Sequence, residues 1–513
     1  MKQIVSVPLT GNIDRRNFMT KGDGVLSREN FLVIGDKTTK RVKKISGADR
    51  FNSTAVGTTF VSGIRYYTKK EVRRTFAYNT DGYLYYFDEN GNTTQLIGVF
   101  SPLAHPCFEN FRVSDNDILY FSEGVSTGMY SFDNNIGNQF NKETAVTLNL
   151  VDMVSWLDRL WGFEEDEEAL NYSKNLVPTN FTDSTDAGTV IIGAKRGAKQ
   201  QRVIVINDTL YIFKTDSIWR VVGRTPSEFQ VELVHDSLGL ASRWSLQVVE
   251  GGAIFQGSDY EMYSFGGTKE STTLLTYNVA LGGDLTKDLA AIVNKNKMAD
   301  IKSCFHNKFY RMSFTESGKS TNNMEYIFNT VNQSDSFSRD FNISCYIPFD
   351  RFPDKGELLT GRVGEGRLMK MNQGLNVDNQ ATSPTMPYKI QSKFIGQTEP
   401  RNMRVRAIWG TFGVLARPPV PIRMYIDART AASDASSDEL IPYGEYKSQF
   451  TSIQIASQGV VTSRYIPKHA NSKCQNFSLE INETKNNREL EFGDFQCQVI
   501  LNKNLKRSFA VGV

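Results

Sequence analysis

The stretch "GGAIFQGSDYEMYSFGG", residues 251–267, sets two short apolar runs around a polar centre. Ala253–Phe255 and Met262–Phe265 read as strands, with Ser258, Asp259 and Tyr260 in the turn between them. β-Branched and aromatic runs separated by Gly, Ser, Asp or Asn are the local grammar of a β-hairpin. The same grammar returns in "FAYNTDGYLYYFDENGNTTQLI" (76–97), "DNDILYFSEGVSTGMYSFD" (115–133) and "WLDRLWGFEEDEEALNYS" (156–173). It returns again in "INDTLYIFKTDSIWRVVG" (206–223), more loosely in "KFYRMSFTESGKSTNNMEYIFN" (308–329), and in "GEGRLMKMNQG" near Gly364.

Aligned at Leu84, Leu119, Leu160, Leu210, Ile254, Phe309 and Leu368, the copies are spaced by 35, 41, 50, 44, 55 and 59 residues. Four short strands and their turns need roughly 40–50 residues, the repeat of a β-propeller blade. A stack of unrelated hairpins would explain the turns but not the spacing. The chain is therefore expected to be all-β, with a propeller of six or seven blades over residues 56–371. Radial closure also leaves only short, protected sheet edges. None of the five tryptophans (Trp156, Trp161, Trp219, Trp244, Trp409) belongs to a Trp-Asp pair, and the glycine doublets at Gly251-Gly252 and Gly266-Gly267 are too few for one per repeat. The repeat thus matches neither the WD40 nor the kelch signature.

Beyond Leu368 the pattern changes. Residues 372–387, "NQGLNVDNQATSPTMP", are polar and turn-rich and read as a linker. Residues 388–513 contain strictly alternating runs such as Arg404-Val405-Arg406-Ala407-Ile408-Trp409, which suit antiparallel strands with one face in water. They are expected to form a separate C-terminal β-sandwich. Residues 1–55 form an N-terminal segment that either completes a blade or reaches a neighbouring protein. The best helical period lies in Thr286–Ile301.

At this point the residues resemble a known family. The succession "WLDRLWGF…LNYSKN…PTNFTD" and "DTLYIFKTDSIWRVVG…PSEFQVELV…LGLASRWSLQVVEGGAIFQGSDYEMYSFGG" is similar to the hub, or nozzle, proteins of short-tailed bacteriophages, also called packaged-DNA stabilisation proteins. The resemblance runs on through "GRVGEGRLMKMNQGLNVDN" to "NFSLEINETKNNRELEFGDFQCQVIL" and covers about residues 60–510, with residues 1–55 matching least. It is a similarity of strand order and phrase, without a catalytic motif. It implies a virion structural protein, made in the host cytoplasm and placed in the tail. A homohexameric ring would lie below the portal and adaptor, contact other tail proteins or fibres, and extend the channel for double-stranded DNA.

Composition narrows the alternatives. With 59 basic and 56 acidic residues the net charge is +3, unlike the clustered excess of a protein built to grip nucleic acid. Cys107, Cys304, Cys345, Cys474 and Cys497 show no C-x-x-C spacing, so neither a zinc site nor a disulfide framework is expected, and folding in a reducing cytosol is. No signal-peptide core opens the chain and no run of about 18 apolar residues follows, so membrane insertion is not expected.

Several motifs imitate chemistry without completing it. "SGKS" at Ser317–Ser320 lacks the upstream glycine of a phosphate loop, since that position is Ser313. His105, His235, His306 and His469 are scattered, and Cys304 with His306 lacks a third, orienting group. Glu164–Glu168 has neither the glycine nor the alternating carboxylates of a calcium loop and reads as a hairpin tip. The basic runs Thr39–Lys44, Thr68–Arg74 and Ala194–Arg202 read as solvated faces or salt bridges. No catalytic, cofactor-binding or metal-binding residue is assigned, no cofactor is expected, and the protein is expected not to be an enzyme. Two other classes compete with the tail protein: a propeller enzyme or ligand- or glycan-binding module with a pocket at its channel mouth, and a receptor-binding tail protein.

Overall fold

A computed structural model describes residues 2–7, 9, 25–67 and 73–371, apart from 97–99, 102–105, 114–115, 126–127, 134–139, 194–197, 276–284, 340 and 348–356. Beyond these it describes strand segments between residues 388 and 501. The expected linker, 372–387, lies outside the described residues, as do Lys69, Lys70, Lys195, Arg196, His105, His469 and Cys474.

Seven four-stranded antiparallel units follow one another, at residues 60–95, 107–143, 150–191, 200–235, 247–274, 302–339 and 343–371. The first strands of consecutive units touch in order, and that of the seventh returns to that of the first. The result is a closed seven-bladed β-propeller. The opening hairpin is the second and third strands of blade five: Gly252–Gln256 pairs with Met262–Phe265, Ala253 opposite Phe265. Tyr260 takes φ 70° in its turn. The helical period is also real, as an α-helix at Leu285–Ile292 followed by a 3-10 turn at Lys295–Asp300.

Part of the uneven spacing of the phrases has a simple cause. Leu119, Leu160, Leu210, Ile254 and Phe309 lie on second strands, whereas Leu84 and Leu368 lie on third strands. The second strands begin at residues 73, 116, 159, 209, 252, 309 and 358, with intervals of 43, 43, 50, 43, 57 and 49.

Second strands read as nearly continuous apolar runs because both of their faces are buried between blades. In Thr209–Lys214, Leu210 and Ile212 join a core shared with Trp161 and Phe163 of blade three. Tyr211 and Phe213 join one shared with Phe255 and Phe265 of blade five. Comparable clusters fill the spaces between blades one and two, two and three, and seven and one.

The seventh blade has three strands of its own, and its fourth is Ala48–Arg50 from the N-terminal segment, paired with Met369–Met371. Asn52, 1% exposed, fastens this strap. Its side-chain amide donates to Gly366 O at 3.2 Å, and its Oδ1 accepts from Leu368 N at 2.7 Å. The contact is close: a Cβ on Gly91, at φ 79°, would lie 2.0 Å from Phe51 O.

The described strands at the C-terminal end belong to two sheets, and each sheet recruits strands from the N-terminal segment. Lys2–Val7 pairs with Phe495–Leu501 in one, which also holds Phe31–Ile34 and Arg41–Lys44. Val25–Glu29 pairs with Tyr388–Ser392 in the other. That second sheet is continuous with blade six through a parallel bridge, Glu29 to Phe337. Phe31, Val42 and Phe495 from one sheet and Tyr388, Ile390 and Leu479 from the other lie in one apolar cluster with blade-six residues.

Candidate functional site

The seven inner strands ring a central channel that contains a cavity of about 450 Å³. Each blade lines it with polar or reactive side chains near the start of its inner strand, among them Ser62, Glu109, Asp152, Arg202, Gln247, Lys302 and Cys345. Four of these strands carry a register shift at the same place, between Phe60 and Ser62, Leu150 and Asp152, Gln200 and Arg202, and Ile343 and Cys345. A bulge adds a residue, bends the strand and re-aims the side chain that follows. A recurrent bulge thus presents Ser62, Asp152, Arg202 and Cys345 at one level of the channel.

The charges are sorted by blade. Glu109 and Asp152 come from blades two and three, and Arg202 and Lys302 from blades four and six. Between the two cations stands Trp244, on the 3-10 turn Arg243–Ser245 that leads into blade five. The Arg202 guanidinium carbon lies 5.2 Å from its ring centroid and Lys302 Nζ lies 4.5 Å from it. Both distances suit cation–π attraction. Trp244 is anchored through its carbonyl, which accepts from Ser303 Oγ at 2.5 Å, and Gln247 Nε2 donates to Ser303 O at 3.0 Å.

Asp152, 2% exposed, is held on both oxygens. Arg202 Nη1 approaches Oδ1 at 3.1 Å and Val203 N donates to Oδ2 at 2.8 Å. Burial still raises its carboxyl above the ordinary range, against the pull of Arg202. Glu109 Oε1 accepts from Ser155 N at 2.9 Å. Enclosure by the inner strands pushes its carboxyl up to about 7, with nearby Asp152 adding to the shift. Burial brings Lys302 down to about 7, helped by the positive charges of Arg243 and Arg202. Two groups on opposite arcs of the ring are therefore poised between charged and neutral forms near pH 7. The Cys107 and Cys345 thiols are shifted upward by burial, so neither is an activated nucleophile.

A second cavity, of about 610 Å³, shares Trp244 and is lined by Glu123, Glu165, Ser242 and Arg243. Here the acidic run Glu164–Glu168 finds its place as the tip of the hairpin between Arg159–Glu164 and Ala169–Tyr172. The tip clamps neighbouring blades: Arg243 Nη2 meets Glu165 at 2.7 Å and Lys199 Nζ meets Asp166 at 2.5 Å.

The other sequence motifs fall elsewhere. Ser317–Ser320 sits in the hairpin between Phe309–Phe314 and Met324–Asn329, with Gly318 at φ 81°. Cys304 and His306 lie on the inner strand Lys302–His306, and burial raises the Cys304 thiol. Among the described residues no group of three or more His, Cys, Asp or Glu side chains is placed to hold a metal ion. Motif spacing does not reveal the channel lining, because Ser62, Glu109, Asp152, Arg202, Gln247, Lys302 and Cys345 come from different blades, some 40–60 residues apart.

No protein-family model matches the chain, and none of the curated proteins matches it. Among solved structures, a streptogramin B lyase is 12% identical, covering 63% of this chain and 96% of its own, at a TM-score of 0.40. The C-terminal WD40 domain of Sif2 is 11% identical, covering 70% and 99%, at 0.36. PorZ, a surface component of the type-IX secretion system of Porphyromonas gingivalis, is 10% identical, covering 70% and 44%, at 0.38. These are propeller proteins, and likeness at this level carries no functional argument.

Proposed function

We propose that this chain is a structural protein of the tail of a short-tailed bacteriophage, a hub or nozzle subunit. Copies of it form a ring, a homohexamer, that continues the DNA channel below portal and adaptor. The ring retains the packaged genome and lets it pass on ejection. The phage assignment rests on the sequence resemblance over residues 60–510.

The observation that best supports it is how both chain ends are woven into the body. Ala48–Arg50 closes the propeller, Lys2–Val7 pairs with Phe495–Leu501, and Val25–Glu29 ties the C-terminal strands to blade six. A subunit that carries load between neighbours needs termini that cannot peel away. The two end-built sheets, packed as a sandwich in this reading, also offer an edge. Among the described residues, Gly444–Lys447 is paired on one side, with Pro421–Ile426. Such an edge suits the head-to-tail contact of a ring.

Among the described residues, several basic side chains are engaged within the chain. Lys44 Nζ stacks 3.7 Å from the centroid of Tyr388, Arg74 lies over Tyr86 and Phe132, Lys199 pairs with Asp166, and Arg202 with Asp152. Cations held this way add little to counterion release from phosphates, which favours guiding DNA over gripping it. The test combines electron microscopy of the purified protein with a salt titration of duplex binding. Rings with a duplex-wide lumen and weak, shallowly salt-dependent binding are expected. Dispersed monomers, or tight binding with a steep salt slope, would overturn the reading.

A further inference from the structure

We propose that one end of blade three, around Leu157, Leu176 and Val177, docks a second copy of this chain, and that it receives that copy's hairpin Phe31–Lys44. The proposal rests on the ring reading and names the two unlike faces of its head-to-tail contact. The end-built sheets supply one face, through the hairpin, and blade three supplies the other.

The first observation is backbone strain. Leu157 opens the two-residue turn between Leu150–Trp156 and Arg159–Glu164 at φ 48°, and Leu176, beyond the third strand, takes φ 57°. Blades four and six make the same turn with Asn207-Asp208 and Asn307-Lys308, whose asparagines take φ 47° and 48°. Asparagine and glycine suit this left-handed region, whereas the Cβ of a leucine crowds the following carbonyl. Leucine is thus held twice where the backbone disfavours it. Hydrogen bonds lock the arrangement: Leu176 N donates to Asp158 O at 2.8 Å, Arg159 Nη1 to Ser173 O at 2.9 Å, and Asn175 N to Asp186 Oδ2 at 3.1 Å.

Burial within the chain does not offset that strain. Leu157 leans on the core between blades three and four, but Leu176 is 49% exposed and Val177 39%, and neither joins a core cluster. Of the seven most exposed large apolar side chains among the described residues, three (Leu176, Val177 and Ile191) belong to blade three. Apolar groups held exposed on a rigid, strained turn gain their stabilisation from outside the chain.

The hairpin fits that surface in position. Asn329 and Asn332, between the third and fourth strands of blade six, hold it by donating to Val33 O at 3.0 Å and Gly35 O at 3.1 Å. It therefore lies at the same end of the propeller as Leu157 and Leu176, three blades of seven away and so on nearly the opposite flank. A ring closed by rotation needs its two unlike faces on different flanks and at one height. With the propeller axis along the ring axis, both conditions are met.

The chemistry matches as well. In the hairpin, half-buried Leu32 and Ile34 alternate with buried Phe31 and Val33, beside a tip that carries Lys37, Lys40 and Arg41 against Asp36. Blade three sets Asp158 beside its leucines, and Trp156 Nε1, donating to Asp208 O at 3.1 Å, fixes the Asp208 turn next to them. Both aspartates are exposed, and neither makes an ion pair among the described residues. An apolar centre within a rim of complementary charge is the anatomy of a specific interface.

The experiment is sedimentation velocity of the full chain over a range of concentrations, beside two variants. Leu176→Asn gives the turn a residue its backbone accepts, so Tm is expected to hold or rise while self-association weakens roughly tenfold or more. Lys37→Glu with Lys40→Glu is expected to weaken association from the other face. Mixed, the two variants each keep the face the other has lost, and a one-to-one dimer with nothing larger is expected. A carbodiimide, which joins an amine to a carboxylate, is expected to link Lys37 to Asp158 or Asp208 in the unaltered chain. These groups lie on opposite flanks of one copy, so the link forms between copies. Association that Leu176→Asn leaves unchanged overturns this docking and leaves the ring reading standing. If that variant does not fold, an associating chain without the cross-link overturns it equally. An unaltered chain that stays monomeric overturns both readings.

Discussion

Glu109 and Lys302 are two side chains whose burial works against the fold. A carboxyl raised from 4.5 to about 7 disfavours folding once the unfolded chain ionises. That cost is absent below about pH 4, grows as pH rises toward 7, and is constant above it. For a lysine lowered from 10.5 to about 7 the cost is absent above about pH 11 and grows as pH falls to 7. One pKa unit corresponds to about 1.4 kcal/mol, so on the order of 1–3 kcal/mol is at stake at each position after discounting for solvent screening. Glu109→Gln is expected to raise Tm at pH 7–8 and leave it unchanged at pH 4, as measured by calorimetry across pH. A loss of stability at pH 8 would show that the charged carboxylate supports the fold. Motif spacing could not single out either residue. Glu109 sits in "CFENF" and Lys302 in "DIKSC", ordinary strand contexts that acquire chemistry only when seven inner strands meet.

At the scale of elements, the N-terminal strap decides whether the circle holds. Ala48–Arg50 is only three residues long, yet it supplies the outer strand of the seventh blade and Asn52 locks it with two buried hydrogen bonds. Asn52→Ala leaves Leu368 N without its side-chain acceptor, while Gly366 O keeps its bond from Val56 N; a buried polar group so abandoned costs about 1–3 kcal/mol. A fall in Tm of several degrees is expected, with limited proteolysis cutting first near residues 45–60. An unchanged Tm would mean that the inner-strand ring closes the propeller unaided. The hairpins between second and third strands were legible in sequence because their runs are long, apolar and bounded by turn residues, as in Gly252–Phe265. The strap was not, since a three-residue strand carries no periodicity and its partner is more than 300 residues away. The register shifts before Ser62, Asp152, Arg202 and Cys345 were hidden for a related reason: a bulge adds one residue without marking its composition. Leu84 and Leu368 were aligned one strand late: they stand on the third strands Leu84–Phe87 and Glu365–Met371.

At the scale of the molecule, the propeller and the two sheets built from the chain ends make one connected body, joined through blade six and a shared apolar cluster. A closed propeller has little free edge to offer a neighbour, so in the proposed ring the contacts between copies fall to the sheets built from the chain ends. The seven-fold count of blades sets no symmetry for that assembly, which depends on the angle between unlike faces of adjacent copies. In the proposed ring, a near-neutral charge of +3 would keep the subunits from holding DNA through sheer electrostatic attraction. Native mass spectrometry of the assembled protein tests this account most directly. The account predicts a dominant species of six 57.8 kDa subunits, stable on dilution and unchanged by nuclease treatment. A monomer at every concentration, including in material released from virions, would contradict it.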